Sequence, residues 1–275
     1  AGTYHGTSRR HPQRIRPAPC HQSFIGELAI LNSMNPKDDV RDNSVLLSAQ
    51  AKQWVRENRK KLIAEFCNPD VYPTSDHPVT VFMAGTPGAG KTEFSVTLIE
   101  TFGGNFVRID ADEIRERMRP LGYNGLNAEI FQEAANKAVN QLFDFANRKG
   151  GQNVLLDGTF AYGDWRGNVQ RSLNNGRRVE IYYLHQDPSV AWQFVIKRQA
   201  ESGRVVPLEV FIKSYQASID NVQKAIEVFG VDITVYFAKN NYTKTVEYIA
   251  VDVDDIEKLI GKRYTETDLK ELLHA

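Results

Sequence analysis

The stretch VTVFMAGTPGAGKTEFSVTLIETF, residues 79–102, decides the fold of this 275-residue chain. Its first six residues are apolar apart from Thr80, which is typical of a buried strand. Residues 85–92, GTPGAGKT, fit the pattern G-x-x-x-x-G-K-[ST] at every fixed position. Phe94, Leu98 and Phe102 then recur at helical spacing. A strand, a glycine-rich loop and the start of a helix, in this order, are the parts of a phosphate-binding loop.

Glycine permits the close approach and the unusual φ angles that a loop needs to wrap its backbone N–H groups around an anion. The helix that follows directs its positive dipole end at the same phosphates. Lys91 is expected to reach the β- and γ-phosphates, and Thr92 to hold Mg²⁺ through its hydroxyl. We therefore predict that ATP and Mg²⁺ bind at Gly85, Thr86, Pro87, Gly88, Ala89, Gly90, Lys91 and Thr92.

The composition disfavours several classes of protein. The 34 Lys and Arg residues balance the 34 Asp and Glu residues, whereas a dedicated nucleic-acid-binding protein usually carries a basic excess. No run of 18 apolar residues is present, so no membrane-spanning helix is predicted. Cys20 and Cys67 form no C-x-x-C pair, and the six histidines show no metal-ligand spacing. No hydrophobic signal-peptide region precedes the globular part, and we predict a cytoplasmic protein.

The first 44 residues differ in character from the rest. Residues 1–22 carry four arginines, three prolines and no acidic residue, which predicts a flexible basic tail. Residues 23–34 predict a short helix that ends at Asn35-Pro36, and the polar stretch 35–44 predicts a loop. We therefore divide the chain into an extension, residues 1–44, and a main domain, residues 45–275.

The main domain alternates strand and helix patterns, which predicts an α/β fold of the P-loop NTPase or kinase type. Its sheet should be mostly parallel, with helices on both faces. A helix over 45–66 is predicted before the first strand. Further strands are predicted at 105–109, 153–156, 179–184, 233–238 and 246–251, and further helices at 113–119, 127–148, 163–175, 188–202 and 207–229.

Two strands of the predicted sheet end in polar residues, and strand ends of a parallel sheet meet at one edge. Asp112 lies two residues beyond the second strand and is our candidate for a general base, the alternative being that it only caps the helix at Glu113. Asp110 is a candidate for ordering the Mg²⁺ shell. Asp157, which follows an apolar run, could hold metal-bound water or the acceptor, and Thr159 follows it closely.

A second cluster of charge is predicted between two helices, where Gly203 would permit a mobile lid. Arg198 and Arg204 flank this position and could stabilise charge on a transferred phosphoryl group. The alternative is that Arg198 complements a helix C-terminus and Arg204 is solvated.

Over residues 45–230 the chain resembles the zeta toxin family. The resemblance rests on GTPGAGKT, on IDADEIR at 109–115, on LDGT at 156–159 and on the two arginines. It implies a P-loop kinase of a toxin–antitoxin system that phosphorylates an amino-sugar hydroxyl of UDP-N-acetylglucosamine or a relative. It also implies Lys91 on the phosphates, Asp112 as the base, Arg198 and Arg204 as charge-stabilising residues, and Arg115, Asp157 and Thr159 as contacts of the sugar nucleotide.

Two positions depart from the family pattern, and both lie on the acceptor side. Asp157 stands where the family often has Glu, and Ala161 stands where it often has Arg. Alternative acceptors are therefore NAD, another nucleotide or a polynucleotide 5′-hydroxyl. In zeta-type systems an antitoxin helix blocks the nucleotide site, and we hypothesise that residues 23–44 do so in cis. The alternatives are an ordinary appended helix and an antitoxin on a separate chain.

Other functional classes fit the sequence less well. A regulatory GTPase needs a base-reading N-K-x-D, and the nearest cluster, 239–241, lacks the acid. A polynucleotide kinase predicts a basic groove and salt-sensitive binding, which the neutral net charge disfavours. A binding protein without turnover does not require the lysine, hydroxyl, paired acids and arginines that occur together here. The residues therefore favour a kinase, and the resemblance to the zeta toxin family implies a toxin that phosphorylates a nucleotide sugar and blocks cell-wall precursor synthesis.

Overall fold

A computed structural model describes residues 36–148, 151–241 and 246–274. The chain divides into two compact units, Ala1–Asn43 and Ser44–Ala275, and every described strand belongs to the second. The basic tail and short helix predicted within residues 1–34 lie outside the described residues. Within the described ranges, no helix has the length and apolar character needed to cross a bilayer.

Six strands form one sheet with the order β2-β3-β1-β4-β5-β6. The first five are parallel, and β6 runs antiparallel to β5. The sheet is therefore mostly parallel, as predicted. The strands span Val79–Ala84 (β1), Phe106–Asp110 (β2), Asn153–Asp157 (β3), Arg178–His185 (β4), Ile233–Asn240 (β5) and Val246–Ala250 (β6).

Helices cover both faces of this sheet, which confirms the predicted fold class. They span Pro36–Glu57 (α1), Arg59–Phe66 (α2), Lys91–Thr101 (α3), Ala111–Glu116 (α4), Ala128–Ala146 (α5), Trp165–Asn174 (α6), Pro188–Ser202 (α7), Leu208–Phe229 (α8), Ile256–Ile260 (α9) and Glu266–His274 (α10).

The central strand β1 lies between β3 and β4, and all six of its residues are buried. A strand covered on both faces by helices has no polar face, so its sequence does not alternate. On one face, Phe82 packs in the large core that includes residues of α5, α6 and α8. On the other face, Met83 belongs to a smaller cluster that Phe94 and Leu98 of α3 complete. The loop that follows β1 is thus held at the middle of the sheet's carboxyl edge.

Two predictions near the start of the main domain are wrong. Residues 36–44 are helical and not a loop, because Pro36 is the first residue of α1, a position where proline's missing N–H and fixed φ are favourable. The single helix predicted over 45–66 is broken at Asn58, which separates α1 from α2. The Asn58 side chain donates to the carbonyl of Trp54 at 2.9 Å, a local bond that competes with continued helix.

Helix α7 begins and ends as its sequence predicts. Asp187 caps its start by accepting from the backbone N–H of Ser189 at 2.9 Å, and Pro188 takes the first helical position. Gly203 ends it in the left-handed region with φ of +73°. The chain therefore turns sharply between Arg198 and Arg204.

Candidate functional site

The glycine-rich loop between β1 and α3 is packed so tightly that two positions accept only glycine. Gly85 and Gly88 have φ of +123° and +80°. A Cβ atom at Gly85 would lie 2.3 Å from the carbonyl oxygen of Leu184, and one at Gly88 would lie 2.1 Å from that of Ala191. The loop therefore rests on the end of β4 and on the first turn of α7.

Neighbouring strand ends fix this loop through its backbone. The Gly85 N–H donates to the carbonyl of Thr159, which follows β3, at 3.2 Å. From the end of β5, the buried Asn240 donates through Nδ2 to the carbonyl of Ala89 at 2.6 Å. Sequence reasoning considered Asn240 only as part of an absent guanine-reading motif and missed this bond. The sequence could have indicated this bond, because Asn240 closely follows a predicted strand and strand ends of a parallel sheet lie near the glycine loop.

Lys91 and Thr86 give the loop its anion-binding chemistry. Lys91 is only 9% exposed, and its ammonium donates to the carbonyl of Thr86 at 2.6 Å. Burial lowers the pKa of Lys91 to about 8. The buried Thr86 hydroxyl has no hydrogen-bond partner among the described residues. A buried ammonium, an unpaired hydroxyl and a glycine cradle together fit a triphosphate, as predicted for ATP.

The carboxylate that caps α4 is Asp110, not Asp112. Oδ1 of Asp110 accepts from the backbone N–H of Asp112 at 2.8 Å, and the helix begins at Ala111. The alternative interpretation of Asp112 as a helix cap is therefore wrong. Its side chain points instead toward three arginines.

Asp112 is surrounded by guanidinium groups. Arg115 and Arg204 each form a close ion pair with its carboxylate, and Arg198 Nη2 lies 3.6 Å from its Oδ2. The side chain of Asp112 remains 20% exposed. Arg204 is partly buried and paired, so the interpretation of a simply solvated residue is wrong. The two arginines of the predicted lid converge on the predicted base.

A cavity of about 400 Å³ opens beside this cluster. It brings together five predicted residues: Thr92 and Asp110 of the proposed metal shell, and Asp112, Arg198 and Arg204. Thr92, the predicted Mg²⁺ ligand, lines this cavity together with Asp110 and Asp112. The cavity is lined by Thr92, Arg108, Asp110, Asp112, Glu113, Glu116, Tyr123, Gly125, Arg198 and Arg204.

One wall of the cavity is a contact between two backbones. Gly125, with φ of +87°, lies so close to the turn after α7 that a Cβ atom there would be 3.1 Å from the carbonyl oxygen of Gly203. The same Cβ atom would lie 3.4 Å from the backbone nitrogen of Arg204. The segment that carries Tyr123 therefore abuts the turn that carries Arg204.

The three residues predicted to contact the acceptor are not among those that line the cavity. Arg115 is buried and bonds to Asp112 and to Gln132. Asp157 accepts from the hydroxyl of Ser95 at 2.9 Å. Thr159 contacts the glycine loop through its carbonyl. Arg115 therefore supports the predicted base, Thr159 supports the glycine loop, and Asp157 bonds to Ser95 of α3.

Arg108 is a residue of the site that the sequence analysis missed. Its guanidinium donates to Asp157 Oδ2 from Nη2 at 2.6 Å and from Nε at 3.0 Å, and to Asp110 Oδ2 at 3.0 Å. Burial and the nearby Asp157 raise the pKa of Asp110. The available signal was the period of two along β2, which places Arg108 and Asp110 on the same side of the strand.

Known proteins resemble this chain in sequence and in fold. The model of the zeta toxin family matches residues 64–250, more than half of the 275 residues. Toxin PezT of Streptococcus pneumoniae is 24% identical over 203 residues, which is 64% of this chain and 78% of that protein.

Two solved structures show the same fold. One comes from the PezAT chromosomal toxin-antitoxin system of Streptococcus pneumoniae, with a TM-score of 0.59 at 19% identity, over 80% of this chain and 91% of that one. An AvrRxo1-ORF1:-ORF2 structure with ATP has a TM-score of 0.53 at 15% identity, over 89% of this chain and 78% of that one.

Proposed function

The chain belongs to the zeta toxin family, and from this premise we propose that it is an ATP-dependent kinase. In our proposal it transfers the γ-phosphoryl group to a hydroxyl of a nucleotide sugar such as UDP-N-acetylglucosamine. The observation that carries the proposal is the cavity in which Asp112, Thr92, Arg198 and Arg204 meet. Phosphoryl transfer requires little more than an aligned acceptor, a base and neutralisation of charge on the transferred group.

Asp112 is the proposed general base. A carboxylate within hydrogen-bond reach of the acceptor hydroxyl accepts its proton as the oxygen attacks phosphorus. In the structure this carboxylate is paired with Arg204 and approached by Arg198. For Asp112 to act, the two guanidinium groups must shift toward the negative oxygens of the phosphoryl group, which is also where they stabilise the transition state. The arginines and the base therefore change partners together.

Lys91 and the glycine loop bind the phosphates in this proposal. Mg²⁺, when bound, neutralises charge on the phosphates, and Thr92 is the residue that would hold it. Lys91 is positioned by the Thr86 carbonyl at the start of α3. An AvrRxo1-ORF1:-ORF2 structure with ATP shares the fold, which supports ATP as the donor.

The acceptor is proposed from the family, with Arg115, Asp157 and Thr159 as its contacts. In the structure Arg115 is engaged with Asp112, and Asp157 with Arg108. An acceptor that reached these residues would have to exchange those partners for its own hydroxyl or phosphate groups. The short Asp157 and the apolar Ala161 are the positions that would admit another acceptor, such as NAD or another nucleotide.

The proposed cellular role is that of a cytoplasmic toxin that depletes a cell-wall precursor. The shared fold with a component of the PezAT toxin-antitoxin system supports an antitoxin partner. That partner is either a separate chain or, as hypothesised from the sequence, the segment 23–44 of the extension 1–44.

A screen of acceptors tests the proposal directly. The full chain is incubated with ATP and Mg²⁺ and with UDP-N-acetylglucosamine, UDP-N-acetylmuramic acid, NAD, nucleosides or a 5′-hydroxyl oligonucleotide. Mass spectrometry detects the gain of one phosphoryl group. Phosphorylated UDP-N-acetylglucosamine is the expected product, and phosphorylation of another acceptor alone would reassign the substrate.

Asp112→Asn is the matched variant for this screen. We expect its turnover to fall by about 10²- to 10⁴-fold, the usual contribution of a positioned base, with ATP affinity nearly unchanged. The asparagine keeps the size of the side chain and removes its negative charge. Loss of ATP affinity in a folded variant, or undiminished turnover, would argue against Asp112 as the base.

A further inference from the structure

Asn240 is the last residue of β5, and its side chain reaches the middle of the glycine-rich loop. The sheet order places β4 between β5 and β1, so this side chain bridges the end of β4. Only 3% of Asn240 is exposed, and its Nδ2 donates to the carbonyl of the fully buried Ala89 at 2.6 Å. The bond therefore joins two buried groups that lie 151 positions apart along the chain.

The orientation of the Asn240 amide follows from this contact. Turned the other way, the amide would place Oδ1 against the Ala89 carbonyl, and two acceptors would face each other. As oriented here, Oδ1 is buried and has no hydrogen-bond partner among the described residues. A buried acceptor without a partner costs free energy, so the bond of Nδ2 to the loop is the interaction that favours this amide.

The carbonyl that Asn240 binds belongs to the peptide between Ala89 and Gly90, immediately before α3. A trans peptide is planar, so the N–H of the same peptide, which is that of Gly90, points away from Asn240. Gly90 has φ of +88°, and glycine adopts φ of either sign at similar cost. Without the Asn240 bond this peptide could therefore rotate, and a carbonyl oxygen, which repels an anion, would take the place of the N–H.

We propose that Asn240 is a positioning residue of the nucleotide site. It holds the Ala89–Gly90 peptide in the orientation that offers an N–H, and not a carbonyl oxygen, to the phosphates. The proposal rests on the ATP site of the proposed function and deepens it, since it names the residue that prepares the loop for an anion. It makes no use of the identity of the acceptor.

Binding of ATP and of inorganic tripolyphosphate to the full chain tests the proposal. Asn240→Leu keeps the approximate size of the side chain and removes the donor. In calorimetric titrations at pH 8 and constant Mg²⁺, we expect the variant to bind both ligands at least tenfold more weakly than the unmodified chain. A loss confined to ATP would assign Asn240 to the adenine base and overturn the proposal, and unchanged affinities would overturn it as well.

Asn240→Asp makes the donor depend on pH, because a carboxyl group donates only when it is protonated. At pH 8 its affinity for ATP should be at least tenfold below that of the unmodified chain. This deficit should shrink at pH 5.5, since burial favours the protonated carboxyl, whereas the deficit of Asn240→Leu should not. Full affinity of Asn240→Asp at pH 8 would refute the proposal, even if Asn240→Leu fails to fold.

Asn147→Leu is the matched control. Asn147 is also 3% exposed, and its Oδ1 accepts from the hydroxyls of Thr80, near the start of β1, and Ser172 at 3.0 Å. Its replacement removes buried hydrogen bonds at the opposite edge of the sheet and should leave both affinities unchanged. An equal loss there would show that general loosening suffices and would overturn the proposal. A negative acceptor screen would leave these binding measurements intact, whereas an unmodified chain that binds neither ligand would refute the proposed function too.

Discussion

At the scale of the residue, Lys91 holds a position that favours binding over stability. Its ammonium is buried at the start of α3, and burial lowers its pKa from the ordinary 10.5 to about 8. Between these two pH values the unfolded chain binds more protons at Lys91 than the folded chain does, so folding becomes more favourable as the pH rises. Below pH 8 the full cost of burying the charge is present. A bound polyphosphate would offset that cost.

This asymmetry gives a prediction for Lys91→Met. We expect the variant to have a higher free energy of unfolding than the unmodified chain at pH 7.5, because it buries no charge, and the difference should shrink toward pH 10. Its affinity for ATP should fall at least tenfold. Denaturant unfolding at the two pH values and calorimetric titration with ATP measure these effects. Lys224→Met, on the exposed side of α8, is the control, and a destabilised Lys91→Met at pH 7.5 would contradict the argument.

The residues of the site differ in how far the sequence predicts them. The glycine loop and Asp112 follow from local patterns, because a strand end or a loop motif places them directly. The arginines around Asp112 are 3, 86 and 92 positions away along the chain, and no local pattern encodes their convergence. Arg108 was missed because it is one of 34 Lys and Arg residues, and no local pattern distinguishes it from the others. Its partners become evident only when β2 and β3 are placed side by side.

At the scale of the element, the contact between the glycine loop and α7 leaves no room for a side chain at Gly88. Gly88 lies against the Ala191 carbonyl, in the first turn of the helix that later presents Arg198. The sequence predicts both elements, since the loop follows its motif and α7 follows the cap formed by Asp187 and Pro188. Their approach to within backbone contact is tertiary information. In the proposed kinase, this contact would set the position of the phosphates relative to the arginines.

Gly88→Ala tests this contact. The new Cβ atom would lie 2.1 Å from the Ala191 oxygen, so the loop must move away from α7, and ATP affinity should fall at least tenfold. Gly103→Ala is the control, because Gly103 has a similar φ of +79° but meets no atom within 4 Å. Both variants should lose about 1–2 kcal/mol of stability from the left-handed conformation. Calorimetry with ATP separates them, and equal affinities would show that the contact does not position the loop.

Predicting elements from the sequence succeeded where apolar periodicity and a strong terminus agree. The strands β1 to β5 and helix α8 lie close to their predicted positions. Each has an apolar pattern that identifies the element, even where its first or last residue is shifted by one or two positions. The failure at residues 36–44 concerns Pro36. A proline is compatible both with the end of one helix and with the first turn of the next, and the sequence pattern alone did not decide between them.

At the scale of the whole molecule, the extension 1–44 is the part whose role is tested by removing it. If residues 23–44 inhibit in cis, deletion of 1–44 should raise the initial rate of phosphorylation several-fold and increase toxicity on expression. Deletion of 1–22 removes only the basic tail and is the matched control, for which we expect the rate of the full chain. Equal activity and toxicity in all three proteins would refute inhibition in cis.

The contact between Gly125 and Gly203 has a consequence for the choice between acceptor and water. The turn that carries Arg204 cannot swing outward as it stands without opening the wall beside Tyr123. If the chain is the kinase proposed above, admission of a large substrate past this wall would also expose the reactive phosphate to solvent. In the proposed kinase, the contact between Gly125 and Gly203 would thus limit futile ATP hydrolysis without a separate gate.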